Sequence, residues 1–473
     1  MKRWICILLA LLLTGCGQRA IAPVAANVDS ITPSPHTPLP TATATCSPEP
    51  ATPEPTEEPI RTLPTYRPKT STEALFMEEL LSQDGEPLNS MVRDLVSEAT
   101  LSKGSYYAQF TGVVRKADEL REAVIALSEQ GRTMTANRKK HTIDSLQGYL
   151  ENETLDALQS TYAKCQGEEK ALPLDQFISS VHALLQAVQG TKERTAPFYG
   201  LNADGARDYL TVLSRYMGET VLPHVVLDEL ESLAQTEAYA INTALNADPE
   251  AGRKKERISM GSFTRNMALL RDITSDLCPL PDGYALPVLY PTAAEENMDL
   301  LELAFRKYPG MAYLKVYAAH TSAEQQNRWG NAPDGYLAGI AVHGSYAVIP
   351  YLTEYSLDYV QYRWYEDMLS VTLTGISALL IHYYGYSWKD LSAYLEGWGA
   401  ADFTDYLYEK AMYDPFESLV ASCGYYRYLE ICQAALDAGC ENEQRFLQDY
   451  LAAGPAPYED LKEYMAALYQ NQG

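Results

Sequence analysis

The chain has 473 residues and carries 62 Asp and Glu against 37 Lys and Arg, a formal charge of −25. A surface this acidic repels phosphate backbones and anionic headgroups, which argues against nucleic-acid binding and against electrostatic adhesion to a membrane. Tyrosine outnumbers phenylalanine 35 to 9, a usage that suits either wet aromatic grooves or half-buried core positions where a ring keeps a polar tip.

In chain order, Lys2 and Arg3 precede an apolar stretch, Trp4 to Leu13, too short to span a bilayer as a mature helix, and Leu13-Thr14-Gly15-Cys16 follows at once. That tetrapeptide resembles the bacterial lipobox. The resemblance implies a signal peptide over residues 1–15, cleavage before Cys16, and lipid on the Cys16 thiol, so that acyl chains anchor an extracytoplasmic protein to the cell membrane. The lipidated Cys opens a Pro/Thr-rich segment, residues 16–70, with runs such as Thr32-Pro33-Ser34-Pro35-His36-Thr37-Pro38-Leu39-Pro40. Too little apolar surface is available there to offset ordering entropy, so a disordered stalk is expected. No later segment has the apolar length of a membrane span, and the lipid is the expected membrane contact.

Residues 71–473 read as one large, mostly α domain with a small amount of β-strand. Over 221–245 the apolar residues Val226, Leu230, Leu233, Ala234, Ile241 and Leu245 recur on one helix face. Asn202 is placed to cap a helix carrying Ala206, Leu210, Leu213 and Met217. Val288 to Tyr290, between two prolines, is a strand candidate, and Ala312 to Tyr317 fits strand or helix. Val371 to Ile381 is apolar on most sides and predicts a buried helix that Gly385 ends. Beyond Cys6 in the signal and Cys16, the cysteines Cys46, Cys165, Cys278, Cys423, Cys432 and Cys440 form no C-x-x-C pair. Zinc ribbons and redox motifs are therefore not expected, and buried free thiols are, although spacing alone leaves a disulfide among the last three open.

Three C-terminal segments carry a family resemblance: Leu380-Ile381-His382-Tyr383-Tyr384-Gly385-Tyr386-Ser387, Gly424-Tyr425, and Gly454-Pro455-Ala456-Pro457-Tyr458. They are similar to the I-H-Y-x-G-W-S, G-Y-L-E and G-P-A-P-F segments of the bacterial domain of unknown function 885 family, whose members look like helical zinc peptidases of the gluzincin kind. Weaker similarity reaches back through Phe198-Tyr199-Gly200-Leu201 to Phe76. The family's metal motif, H-E-x-Y-P-G-H, falls on Phe305-Arg306-Lys307-Tyr308-Pro309-Gly310-Met311. Its shape residues persist and its chemistry does not: Phe305 and Met311 replace the two His ligands, Arg306 replaces the general base, and the downstream Glu ligand falls near His343. The Glu of G-Y-L-E becomes Arg427, and an Arg beyond it becomes Cys432.

A hydrolytic zinc site needs neutral imidazoles, a carboxylate and a base for the bound water. Arg306 puts a permanent cation where a dication belongs, Met311 is a weak, soft ligand, and Phe305 can only pack. Among the remaining candidates, His320, His343, Glu354 and His382, no pair has the i, i+4 spacing that places two ligands on one helix face. No metal, cofactor or catalytic residue is thus expected. The resemblance instead implies a non-catalytic, peptidase-like scaffold whose cleft, lined by Tyr308, Tyr313, Tyr346, His382, Tyr383 and Tyr425, holds a peptide or cell-wall fragment. The alternatives are a divergent zinc metallopeptidase and a purely structural surface protein in which the tyrosines are core.

Overall fold

The computed structural model describes residues 74–81, 86–97, 101–165, 171–198, 204–252, 265–266, 268–270, 272–273, 300–305, 332–353 and 355–470, all within a compact unit spanning Leu63–Gly473. The fold is mostly α. Its first helices are α1 (Met77–Leu80), α2 (Glu86–Ser97), α3 (Lys103–Glu129), α4 (Ala136–Leu150), α5 (Asn152–Lys164) and α6 (Leu174–Gly190). Side-chain caps start two of them: the Ser102 hydroxyl accepts from Ser105 N–H at 3.1 Å before α3, and Thr135 accepts from Arg138 N–H at 3.3 Å before α4. Along α3 the residues Tyr106, Phe110, Val113, Ala117, Leu120 and Val124 repeat every three or four positions and are buried against α6.

Between these helices lies a two-stranded parallel pairing, β1 (Met134–Thr135) with β2 (Glu193–Arg194), the sheet found among the described residues. The strand candidates read from the sequence, 288–290 and 312–317, lie outside the described residues. β2 delivers Arg194 to a buried ion pair with Glu78 at 2.6 Å and over the Phe198 ring at 4.1 Å, which ties α1 to the chain leaving the first bundle.

The second half is built from α7 (Gly205–Met217), α8 (Pro223–Ala247), α9 (Leu300–Phe305), α10 (Asp334–Ala347), α11 (Leu357–His382), α12 (Trp388–Gly397), α13 (Thr404–Tyr413), α14 (Glu417–Asp437), α15 (Glu443–Ala453) and α16 (Tyr458–Gln470). The helix expected over 221–245 is α8, with Pro223 in its first turn where the missing N–H costs nothing. The cap expected at Asn202 lies outside the described residues, and the residue at the N-cap of α7 is Asp204, whose side chain makes no capping bond. The apolar run over 371–381 is the inner half of the longer α11, buried from Thr372 through His382. Gly385, at φ +75°, reverses the chain, and Tyr386 N–H donates to the Leu380 carbonyl at 2.9 Å. α11 packs on α8, α13 and α14, so it is the axis of this half.

Much of the tyrosine excess is core. Tyr106, Tyr209, Tyr362 and Tyr428 are among the largest fully buried side chains. Tyr106 donates to the Leu95 carbonyl at 2.8 Å and Tyr209 to the Pro415 carbonyl at 2.7 Å, each satisfying a helix-end or loop carbonyl that a phenylalanine would leave bare. Cys165, Cys423, Cys432 and Cys440 are buried free thiols, whereas Cys46 and Cys278 lie outside the described residues.

Candidate functional site

The site grows from a seam between α10 and α14. A Cβ added at Gly424 would sit 2.0 Å from the Gly335 carbonyl oxygen, and one at Gly339 would sit 2.4 Å from the Gly424 oxygen. The two helices therefore cross backbone on backbone, which only glycine permits. One turn further along each helix, the His343 ring lies over Tyr428 with centroids 4.5 Å apart. His343 is 5 % exposed, and its Nδ1 has no hydrogen-bond partner among the described residues. Burial lowers its pKa to about 4, so the ring is neutral. A neutral imidazole carries one accepting nitrogen, and a buried polar atom left unmatched calls for an explanation.

His343 lines a cavity of about 220 Å³ together with Tyr346 and Ala347 from the end of α10, Ile349, Pro350 and Tyr351 from the following turn, Gln361 of α11, and Glu443, Gln444 and Leu447 of α15. Glu443, Gln444, Pro350 and Tyr351 are exposed and form its rim, while His343 is buried. A smaller cavity of about 90 Å³ opens beside the opposite flank of α10, lined by Phe305, Val342, Ser345, Trp364, Asp367, Met368, Val371 and Ala421.

Of the residues read from the sequence, Phe305, Tyr346 and Tyr425 share one apolar cluster around Trp364, with Tyr346 5.0 Å and Tyr425 5.7 Å from the Trp364 ring. Phe305 packs, as its chemistry requires. Tyr425 is 4 % exposed and belongs to the core instead of a cleft wall. Arg306, Tyr308, Met311, Tyr313, His320 and Glu354, like Cys16, lie outside the described residues.

His382 and Tyr383 do not join this group. They sit five turns beyond Trp364 on α11, about 27 Å at 1.5 Å per residue. His382 is fully buried against Phe198 and Tyr209, which in turn stack on Phe416. Phe198 N–H donates to its Nδ1 at 3.2 Å, so the proton is on Nε2, which donates to the Ala411 carbonyl at 3.1 Å. Burial, with the Arg194 charge, lowers its pKa to about 3. Both nitrogens are thus spent on backbone from other segments, which makes His382 a core staple and not a cleft residue. Tyr383 caps α11 half-buried, with its ring edge-on to Tyr384 at 4.9 Å.

Two polar clusters escaped the sequence reading. Glu237 of α8, 1 % exposed, accepts from the Thr372 hydroxyl at 3.1 Å, and Thr372 lies 3.3 Å from the Ser422 hydroxyl; the second Glu237 carboxylate oxygen has no partner among the described residues. Burial raises this carboxyl well above the usual range, so it holds its proton. The signal was present: Glu237 lies on the apolar stripe of α8, midway between Leu233 and Ile241. The second cluster centres on Arg427, which bonds Glu219 at 2.5 Å and Glu229 at 3.3 Å and covers the Tyr458 ring at 5.0 Å. Tyr458 N–H donates to Glu219 at 3.3 Å, so Arg427 clasps the Gly454 to Tyr458 segment to α8 and α14. Among the described residues no group of three or more His, Cys, Asp or Glu side chains is placed to hold a metal ion, and no helix is long and apolar enough to cross a membrane.

No family model and no curated protein matches the chain. Among solved structures it is similar to one described as "the putative lipoprotein from Colwellia psychrerythraea", at 9 % identity and a TM-score of 0.57, over 80 % of this chain and 78 % of that one. It is also matched to "a putative lipoprotein of unknown function from Shewanella oneidensis", at 11 % identity and a TM-score of 0.43, over 82 % of this chain and 86 % of that one. At such identity the first likeness is one of fold, and it agrees with the mostly helical architecture seen here.

Proposed function

We propose that the protein is an extracytoplasmic lipoprotein, anchored through Cys16, whose peptidase-like helical scaffold binds an extended peptide or cell-wall fragment without cleaving it. The observation that carries the binding reading is the open cavity of about 220 Å³ that reaches in to the buried His343, with Tyr351, Glu443 and Gln444 exposed at its rim. Its volume is below that of pockets that enclose whole small molecules, and suits one side chain of a longer ligand. The lipobox-like Leu13 to Cys16 segment supports the anchor, and a structural neighbour described as a lipoprotein is consistent with it. The non-catalytic reading is supported by the residues at the motif positions: Phe305 packs in the apolar cluster, and His343, where the resemblance puts a carboxylate ligand, packs tilted against the Tyr428 ring.

Equilibrium dialysis of the full-length protein in detergent, against enzymatically digested cell wall and against a mixed peptide pool, tests the binding. Wild type should retain a ligand that Tyr351→Ala, a change at an exposed rim residue, fails to retain. Retention of nothing from either pool, or retention indifferent to Tyr351, would sink the reading. Elemental analysis with a chelator-controlled peptidase assay tests the other half. Stoichiometric zinc with chelator-sensitive cleavage would establish a divergent metallopeptidase instead.

A further inference from the structure

The described groups that line the His343 cavity are one-sided in their charge. Among the described residues of the lining, Glu443 is the charged one and no Lys or Arg joins it. Gln361 and Gln444 each offer an amide oxygen, and the neutral His343 ring offers one accepting nitrogen. Tyr346 and Tyr351 add aromatic faces, whose negative quadrupole attracts cations. Ala347, Ile349, Pro350 and Leu447 supply apolar wall for a methylene stem. Acceptors, one negative charge, aromatic faces and an apolar sleeve together match a group that is all donor and positively charged at the end of an alkyl chain.

Resting on the binding reading above, we infer that this cavity selects an aliphatic ammonium group, such as the charged end of a lysine or other diamino side chain, on the peptide it holds. An ammonium presents three donors and no acceptor, which matches the Glu443 carboxylate and the amide oxygens of Gln361 and Gln444 in kind. A carboxylate in its place would face Glu443 with like charge. The first turn of α15 does not reverse this preference, because Glu443 itself occupies the positive end of that helix. Glu443 also acts inward. Burial is the main cause of the raised Tyr425 and Tyr428 phenols in the core, and the Glu443 charge adds to both. The net charge of −25 concentrates cations near the whole surface and adds to the on-rate.

The test uses the full-length protein in detergent and three neutral-backbone probes: Nα-acetyl-lysine N-methylamide, its Nε-acetylated form, and the norleucine analogue. Calorimetric titration should give about tenfold tighter binding of the lysine probe than of either analogue, as a charge-assisted hydrogen bond warrants. Glu443→Gln should weaken the lysine probe about fivefold and leave the norleucine probe unchanged. Glu122→Gln, at an exposed carboxylate lining none of the cavities described above, should change nothing and so controls for the diffuse acidic field. Equal binding of the lysine and norleucine probes, or indifference of the lysine probe to Glu443→Gln, overturns the ammonium selectivity. If that happens while Tyr351→Ala still abolishes retention of cell-wall or peptide ligands, the binding reading stands and only the selectivity falls. If no probe binds and no ligand is retained, both fall.

Discussion

Substituting Gly424 by alanine tests the seam on which the candidate site is built. The added Cβ would lie 2.0 Å from the Gly335 carbonyl oxygen, 2.9 Å from its carbon and 3.1 Å from Gly339 N. Non-bonded heavy atoms settle at about 3.5 Å, so α10 and α14 must part by about 1 Å or more. All three contacts are backbone, and no rotamer change can relieve them. Overpacking of this kind costs about 1–3 kcal/mol, against which alanine returns up to about 1 kcal/mol in helix propensity. Separation of the helices adds a further loss, because Ile340 and Tyr428 pack in the same cluster. The expected net is a destabilisation of about 2 kcal/mol, with loosened contact between His343 and Tyr428. Gly148, inside α4 with nothing within 4 Å of an added Cβ, is the matched control, and its alanine variant should gain about 0.5–1 kcal/mol. Denaturant midpoints of the two variants should therefore move in opposite directions from wild type. A Gly424→Ala midpoint at or above wild type would refute the close crossing, and a Gly148→Ala midpoint falling equally far would mean the effect is not local.

Glu237 should make stability depend on pH in a direction opposite to an ordinary paired carboxylate. Burial raises its folded pKa well above that of an ordinary glutamate, so above about pH 4.5 the unfolded chain sheds a proton that the native state keeps, and stability drains as pH rises. Glu237→Gln removes that drain, and its advantage over wild type should widen as pH rises from 5 to 7; a pH-independent difference in denaturation midpoints would mean the carboxyl is ionised. Arg427→Ala leaves Glu229 and Glu219 facing each other with their shared cation gone, and Glu229 is only 10 % exposed. A loss of about 3 kcal/mol is expected in denaturant melts, and a loss under about 1 kcal/mol would show that the clasp on Tyr458 is dispensable. Cys16→Ala should release the protein from the membrane fraction on cell fractionation; a processed mutant that stays bound would reveal another anchor.

What could be read ahead of the structure followed from how local each signal is. Helix periodicity depends on residues three and four apart, so α8 and the inner half of α11 were visible as apolar stripes, and Gly385 as a stop. The parallel pairing of Met134–Thr135 with Glu193–Arg194 joins strands of two residues separated by three helices, and no alternation can show in so short a run. His382 illustrates the same limit at a side chain. Its place at the end of a buried helix was evident, but its partners, Phe198 and Ala411, come from distant segments, and only their approach decides that the ring is spent on the core.

The candidate site was half visible for a related reason. A motif names positions along the chain, whereas a cavity is defined by what other helices bring to it. His343, read as a former ligand position, and Tyr346, read as a cleft residue, lie in one helix. Gln361, Glu443 and Gln444 reach the same cavity from α11 and α15 and carry no mark in their own neighbourhoods. Glu237 is the instructive exception, since a carboxyl on the apolar face of α8 conflicts with its surroundings in the sequence itself. The fold resolves that conflict through protonation and the Thr372 hydroxyl. A charged residue on a buried stripe is therefore a better pointer to polar chemistry inside a helical bundle than the tyrosines, whose hydroxyls here mostly close the core.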